Sequence, residues 1–276
     1  MKALLFVSLI SVLTACGGGG GGDGTAAPAP APPASTETPP AIQASTVNWN
    51  LSRVSPAEAD TTVNAVEAIL DHVFGDAAVQ SAMLVKDGYI VGERYAEGID
   101  ANTLGTSWSV AKSYYSAAVG IAVDEGWISS LDQPASDFFT EWEGSSKSDI
   151  TIRDLLEMRS GLPASSRIFF AADQTAFSLD LNKTRPEGGT FVYSNPTSQL
   201  FEPLLLRSTG LDAHSYLRQK LLSPIGINVD QIGMWRDAVG NPVTYFGLDM
   251  RPEDMARFGL LYARGGEWDG TQVVSE

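Results

Sequence analysis

Between Asp100 and Asp124 the chain carries a single charged residue, Lys112. Around it lie Val110, Ala111, Tyr114, Tyr115, Ala117, Ala118, Val119, Ile121, Ala122 and Val123. A helix that is apolar on nearly every side has to be buried, so the rest of the chain must supply enough apolar surface to surround it. Asp124-Glu125-Gly126 ends the run, and Thr106, Ser107 and Ser109 are the candidates to cap its start. A lysine in the first turns of such a helix needs a reason. Burial disfavours the ammonium form and lowers the pKa, which makes a lysine usable as a base. Ser109 stands three residues earlier and shares its face. A hydroxyl, an adjacent base and a helix N-terminus meet the requirements of an activated nucleophile, and the terminal N–H groups suit a developing oxyanion. On this segment alone a second reading stands beside the first: Ser109 caps the helix and Lys112 snorkels to the surface.

Other chemistries are disfavoured by composition. The 276 residues are 43% hydrophobic, which suits a globular chain, and the formal net charge is −15. No lysine or arginine cluster offers the cations that nucleic acid binding needs, so no nucleic acid partner is expected. The two histidines, His72 and His214, lie far apart, and a Ser-His-Asp arrangement is poorly supported. With one cysteine in the chain, a four-ligand Cys/His zinc site is not expected either, and each histidine reads as a helix-surface or core residue.

The first 46 residues read as an address and a tether. Lys2 opens a short positive start, and Ala3 to Leu13 is an apolar run too short to span a bilayer as a mature helix. Leu13-Thr14-Ala15-Cys16 resembles a bacterial lipobox, which implies a signal peptide over residues 1–15, cleavage before Cys16 and lipidation of that cysteine. Residues 16–46, with six consecutive glycines followed by an Ala/Pro stretch, cannot bury a core and read as a flexible, then extended, linker. The expected arrangement is a lipid anchor, a spacer and a body over residues 47–276, held in the bacterial cell envelope and facing the periplasm. Gly17 after the cysteine favours the outer membrane, by resemblance to Gram-negative lipoproteins.

The body opens with Ser55-Pro56-Ala57-Glu58, a capping box, and the helical spacing of Val63, Val66, Ile69, Leu70 and Val73 up to Gly75. Ala82 to Val85 and Tyr89 to Val91 are apolar runs on either side of Asp87-Gly88, a hairpin signal. Thr151 caps a helix expected to run to Gly161. Pro196–Gly210, Ala213–Leu222 and Pro252–Arg264 read as three more helices. Two strands followed by a helical middle is an α+β pattern, and because a lone hairpin is marginal, further strands are expected.

Gly188-Gly189-Thr190-Phe191-Val192-Tyr193-Ser194-Asn195-Pro196 is a turn, a short strand-like piece and a loop into a helix. Taken alone, Tyr193 packs and Asn195 caps. Ser109-Val110-Ala111-Lys112 followed by Tyr193-Ser194-Asn195 resembles the class C β-lactamase group, which also holds penicillin-binding proteins, carboxylesterases and 6-aminohexanoate-dimer hydrolases. Ile150 to Leu156 ahead of Ser160-Gly161-Leu162, and Asp254 to Leu261, add to the likeness. Met158-Arg159-Ser160-Gly161 leans toward the aminohexanoate-hydrolase-like branch. The resemblance implies a β-lactamase/transpeptidase-like α+β fold, an antiparallel sheet flanked by helices plus a helical subdomain. It also implies a serine hydrolase of a small amide, ester or β-lactam acting through an acyl-enzyme. By the same resemblance Ser109 is the nucleophile, Lys112 takes or relays its proton, Tyr193 is the general base and then the acid, and Asn195 orients substrate or lysine. No metal or organic cofactor is required. Family members carry a third motif, Lys-Thr-Gly or His-x-Gly, on a late strand that supplies half of the oxyanion hole. It is missing after Tyr193, Asp269-Gly270-Thr271 is no substitute, and the chain is expected to be cut short at its C-terminus, which leaves open whether it is active or able to fold as it stands. Two other functions remain open at this point, a D-Ala-D-Ala carboxypeptidase and a non-catalytic acylatable binding or sensor domain. Trp142, Phe169, Phe170 and Trp235 are candidate pocket aromatics.

Overall fold

The hairpin is built as its turn residues dictate. In this computed structural model, which describes the backbone of Leu4–Ile10 and residues 48–275, strands β2 (Val79–Lys86) and β3 (Tyr89–Tyr95) pair antiparallel. They are joined by Asp87 at φ 52° and Gly88 at φ 83°. Both turn positions need positive φ, which matches the right-handed twist of the strands. Gly88 is constrained twice over, since a Cβ there would sit 2.2 Å from the Asn48 carbonyl oxygen.

Successive side chains of β2 point to opposite faces, and both faces are covered. Ala82 and Leu84 pack with Val66 and Leu70 of α1 (Val63–Val73). Met83 and Val85 turn the other way, into the main core. Helix α1 lies so close to β3 that a Cβ on Gly92 would meet Val66 at 2.3 Å. It starts later than the capping box suggests. Ser55 donates both its N–H and its hydroxyl to the Glu58 carboxylate, which is half of the box, but Asp60 turns left-handed at φ 53°, and the helix begins after Thr62, whose hydroxyl accepts from the Ala65 N–H.

The backbone of Leu4–Ile10 forms strand β1, antiparallel to β2 on the side away from β3. An open strand edge is a row of unpaired N–H and C=O groups, and an apolar segment of the same chain satisfies it. Leu4–Ile10 falls within residues 1–15, the segment that reads as a signal peptide, so cleavage before Cys16 would leave this edge of β2 open. Cys16 and the linker over 16–46 lie outside the described residues.

Helix α2 (Ala111–Asp124) is the buried helix anticipated from its composition, with nine of its side chains buried, Lys112 among them. It packs against α6 (Phe201–Thr209) and α7 (Ala213–Leu217). None of the candidate serine or threonine caps makes a side-chain cap bond. The helix is instead entered through a 3-10 turn, Trp108–Val110. Three other helices are shorter than their sequence suggests. Thr151 caps α3 (Ile152–Leu156) in a full capping box with Asp154, but Met158 at φ 53° stops it well before Gly161. The stretch from Pro196 splits at Leu200 into α5 (Asn195–Gln199) and α6, because Pro203 has no N–H for the Gln199 carbonyl. After α7 the chain widens into a π turn, Arg218–Leu222.

The additional strands are short. Gly105–Thr106, Gly233–Met234 and Leu248–Met250 (β4, β5 and β6) form one small antiparallel sheet in the order β4-β6-β5. Glu267–Trp268 and Thr271–Gln272 (β7 and β8) form a hairpin around Asp269-Gly270. Helix α8 (Pro252–Ala263) closes the core, with Phe258 stacked on Tyr114 of α2 at 3.8 Å.

Candidate active site

The small sheet fixes the approach to Ser109. Gly105 and Thr106 pair with Met250 and Asp249, and the Ser107 N–H donates to the Leu248 carbonyl at 2.7 Å. Thr106 donates its hydroxyl to Asp249 Oδ1 at 2.5 Å, while Trp235 Nε1 donates to Asp249 Oδ2 at 2.7 Å. The chain then turns at Trp108, a bulky residue at φ 45°, and presents Ser109 exposed at the surface. A left-handed backbone at such a residue costs about 1–3 kcal/mol and persists only where the surroundings impose it.

Three of the four expected site residues converge. Lys112 Nζ donates to Ser109 Oγ at 3.2 Å, and the Tyr193 hydroxyl donates to the same oxygen at 2.6 Å. Lys112 is 9% exposed, so it does not snorkel to the surface. Its ammonium lies 4.9 Å from the centre of the Tyr193 ring and 5.7 Å from that of Tyr245. Burial pulls the Lys112 pKa below the ordinary lysine value, and the adjoining Tyr193 offsets this only in part. For Tyr193, partial burial works upward, but Lys112 and the Ser109 hydroxyl outweigh it and hold the phenol below its usual value. The two groups best placed to take a proton from Ser109 are thus both tuned toward doing so at lower pH.

The helix cap after Tyr193 is Ser194, whose hydroxyl accepts from the Thr197 N–H, not Asn195. Asn195 begins α5, and its Oδ1 is buried with no hydrogen-bond partner.

One partner of Lys112 was missed in the sequence. Nζ donates to the backbone carbonyl of Tyr245 at 2.9 Å. No side-chain pattern advertises a carbonyl, but the alternation Leu248-Asp249-Met250 three residues further on is a short strand signal. Tyr245 is held from behind. Thr244 donates its N–H to Gln199 Oε1 at 3.1 Å and its hydroxyl to the Ser198 carbonyl at 2.8 Å, and Gln199 Nε2 donates to the Pro242 carbonyl at 2.8 Å.

Of the candidate pocket aromatics, Trp142 is fully buried in the core against Phe139. Phe169 and Trp235 belong to a cluster near Lys112, and Phe170 points into solvent. His72 is on the surface of α1 and His214 is buried. Asp269-Gly270-Thr271 is the turn of the β7–β8 hairpin, which packs by α8.

Residues 66–275 match the family model named Beta-lactamase. The chain belongs to the beta-lactamase family. This family fold unites serine hydrolases of amidase, esterase and penicillin-binding-protein type. Among solved structures the chain is similar to a candidate 6-aminohexanoate-dimer hydrolase from Bacillus anthracis, with TM-score 0.65 and 19% identity over 75% of this chain and 59% of that one. It is similar also to a penicillin-binding protein homologue from Caulobacter crescentus, with TM-score 0.61 and 19% identity over 77% and 72%. A third is the octameric penicillin-binding protein homologue from Pyrococcus abyssi, with TM-score 0.59 and 21% identity over 78% and 58%. At these identities the likeness concerns the fold. The chain spans 59% of the first of these structures. No curated protein matches it.

Proposed function

We propose that this beta-lactamase family member hydrolyses a small amide or ester through an acyl-enzyme on Ser109. The observation that carries the reading is the meeting of Lys112 Nζ and the Tyr193 hydroxyl on one serine oxygen. Ser109 Oγ attacks the substrate carbonyl, and its proton passes to Tyr193 or Lys112, whose lowered pKa values suit the role of base. The bond to the leaving group then breaks, and the Tyr193 hydroxyl returns the proton to the departing nitrogen or oxygen. Water attacks the acyl-enzyme by the same route, releasing the acid and restoring Ser109. The Ser109 N–H would form half of an oxyanion hole, and Asn195, two residues after Tyr193, would orient substrate or Lys112.

The test is release of p-nitrophenolate from an activated ester, with intact mass measured in parallel. Ser109→Ala should abolish both turnover and the acyl mass adduct. Undiminished hydrolysis by that variant would sink the reading.

The lipid anchor on Cys16 and a periplasmic location complete the proposal, supported by Leu13-Thr14-Ala15-Cys16 and the spacer that follows. Among the described residues no helix is long and apolar enough to cross a membrane. Cys16→Ser should leave the signal uncut and abolish labelling by a clickable fatty acid; labelling that survives would refute the anchor.

A further inference from the structure

Four separate segments bring aromatic rings together beside Lys112 and Ser109. Phe246 is the hub. Its ring lies 6.2 Å from Trp108, 5.9 Å from Phe169, 5.3 Å from Trp235 and 4.9 Å from Tyr245. Tyr245 is the residue whose carbonyl accepts from Lys112, and Trp108 is bonded directly to Ser109. The cluster therefore begins at the nucleophile. It is also open, since Trp108, Phe169 and Trp235 are 50%, 47% and 46% exposed. Core aromatics hide their faces, as Trp142 does, and these three do not.

The exposed rings are held in place as well as exposed. Trp235 is fixed by its indole N–H on Asp249 and by Gly247, where a Cβ would come within 2.7 Å of the Trp235 Cβ. Trp108 is fixed by a strained backbone, and Phe169 by an edge contact on Tyr245 at 70°. Flat rings that have already lost their rotational freedom bind an apolar group at low entropic cost. A net charge of −15 adds a general repulsion against anionic substrates.

We propose that the aromatic cluster of Trp108, Phe169, Trp235 and Phe246 is an acyl-group subsite, and that it selects uncharged esters or amides whose acyl part ends in an aryl ring. The inference rests on the Ser109 reading above. The step it governs is acylation, in which the Ser109 Oγ–carbonyl bond forms, the bond to the leaving oxygen breaks, and the serine proton goes to the Tyr193–Lys112 pair.

The test compares p-nitrophenyl phenylacetate with p-nitrophenyl acetate, which share a leaving group and differ only in the acyl part. The ratio of their kcat/KM values should exceed about tenfold in the parent chain. It should fall at least fivefold, as a rough scale, in Trp235→Ala and recover in Trp235→Phe, a variant that keeps an aromatic face should the alanine form misfold. Trp127→Ala, an exposed tryptophan just beyond the far end of α2, should leave the ratio unchanged. A parent ratio near one, or one untouched in both Trp235 variants, overturns the subsite while leaving Ser109 as nucleophile. Release that persists in Ser109→Ala, or no release from either ester, removes both.

Discussion

The hydroxyl of Tyr193 lies 2.6 Å from Ser109 Oγ, although 84 residues separate the two in the chain. A bond this short sets a phenol with a lowered pKa directly against the serine oxygen. Tyr193→Phe should reduce kcat on an activated ester by about 10²–10⁴-fold, the usual worth of a general base, with KM little changed. Because Tyr193 is half exposed, its melting temperature should stay close to that of the parent. A Tyr193→Phe variant with parental kcat would remove the tyrosine from the proton path.

Activity should rise with pH as the Lys112–Tyr193 pair loses its proton, with the midpoint below the ordinary lysine value of 10.5. In Lys112→Arg the guanidinium stays charged throughout, and the rate should collapse while any residual pH dependence changes form. Stability obeys the same linkage. The folded state holds this proton less tightly than the unfolded chain, so Lys112 makes stability increase as pH rises between its lowered value and 10.5. Lys112→Met should flatten that rise in a denaturant series; an unchanged slope would contradict it.

Acid behaviour should turn on two buried groups away from the site. Burial, reinforced by Arg236 and Arg218, lowers His214 to about 4, while burial raises Glu202 to about 6. As pH falls through 6.5 toward 4, the unfolded chain takes up a proton at histidine that the folded chain refuses, which destabilises the fold. Glu202 works the other way, since the folded state takes its proton first, near pH 6. Between pH 7 and pH 4, His214→Gln should lose less stability than the parent by on the order of 3 kcal/mol, and Glu202→Gln should lose more. Urea midpoints at the two pH values give the comparison. Parallel shifts in all three proteins would dismiss both groups.

Gly88→Ala should cost about 2–4 kcal/mol, because it strains a left-handed position and also drives a methyl group into the Asn48 carbonyl. A fall in melting temperature of several degrees is expected; a neutral substitution would mean that the hairpin turn and the residues around Asn48 can separate freely.

Local sequence signals are legible where the local residues also decide the structure. Asp87-Gly88 requires its turn, and the apolar surroundings of Lys112 require a buried helix. Lys112 stands out as the one charge in an apolar helix, whereas Tyr193, which taken alone reads as a packing residue, is legible as a site residue only through the resemblance carried by Tyr193-Ser194-Asn195. Element ends were less legible. Nothing local marks Met158 or Asp60 as left-handed, and the positions where α3 stops and α1 begins are set by contacts with distant residues. The Lys112–Tyr245 and Thr106–Asp249 contacts are not legible locally for the same reason, since each joins residues more than a hundred apart. The place of Asn195 shows a different limit. Its motif position was readable, but the Ser194 cap was not, because serine and asparagine are equally good caps.

The dependence of Ser109 on the β4–β6 pairing bears on synthesis. Until Leu248 has left the ribosome there is no partner for the Ser107 N–H, no Asp249 for Thr106 and no Tyr245 carbonyl for Lys112. A nascent chain can carry the complete Ser-Val-Ala-Lys segment and still have no working nucleophile. Long-range closure of this kind is slow, so on the chemistry proposed above the serine would become reactive only after the β4–β6 pairing has formed.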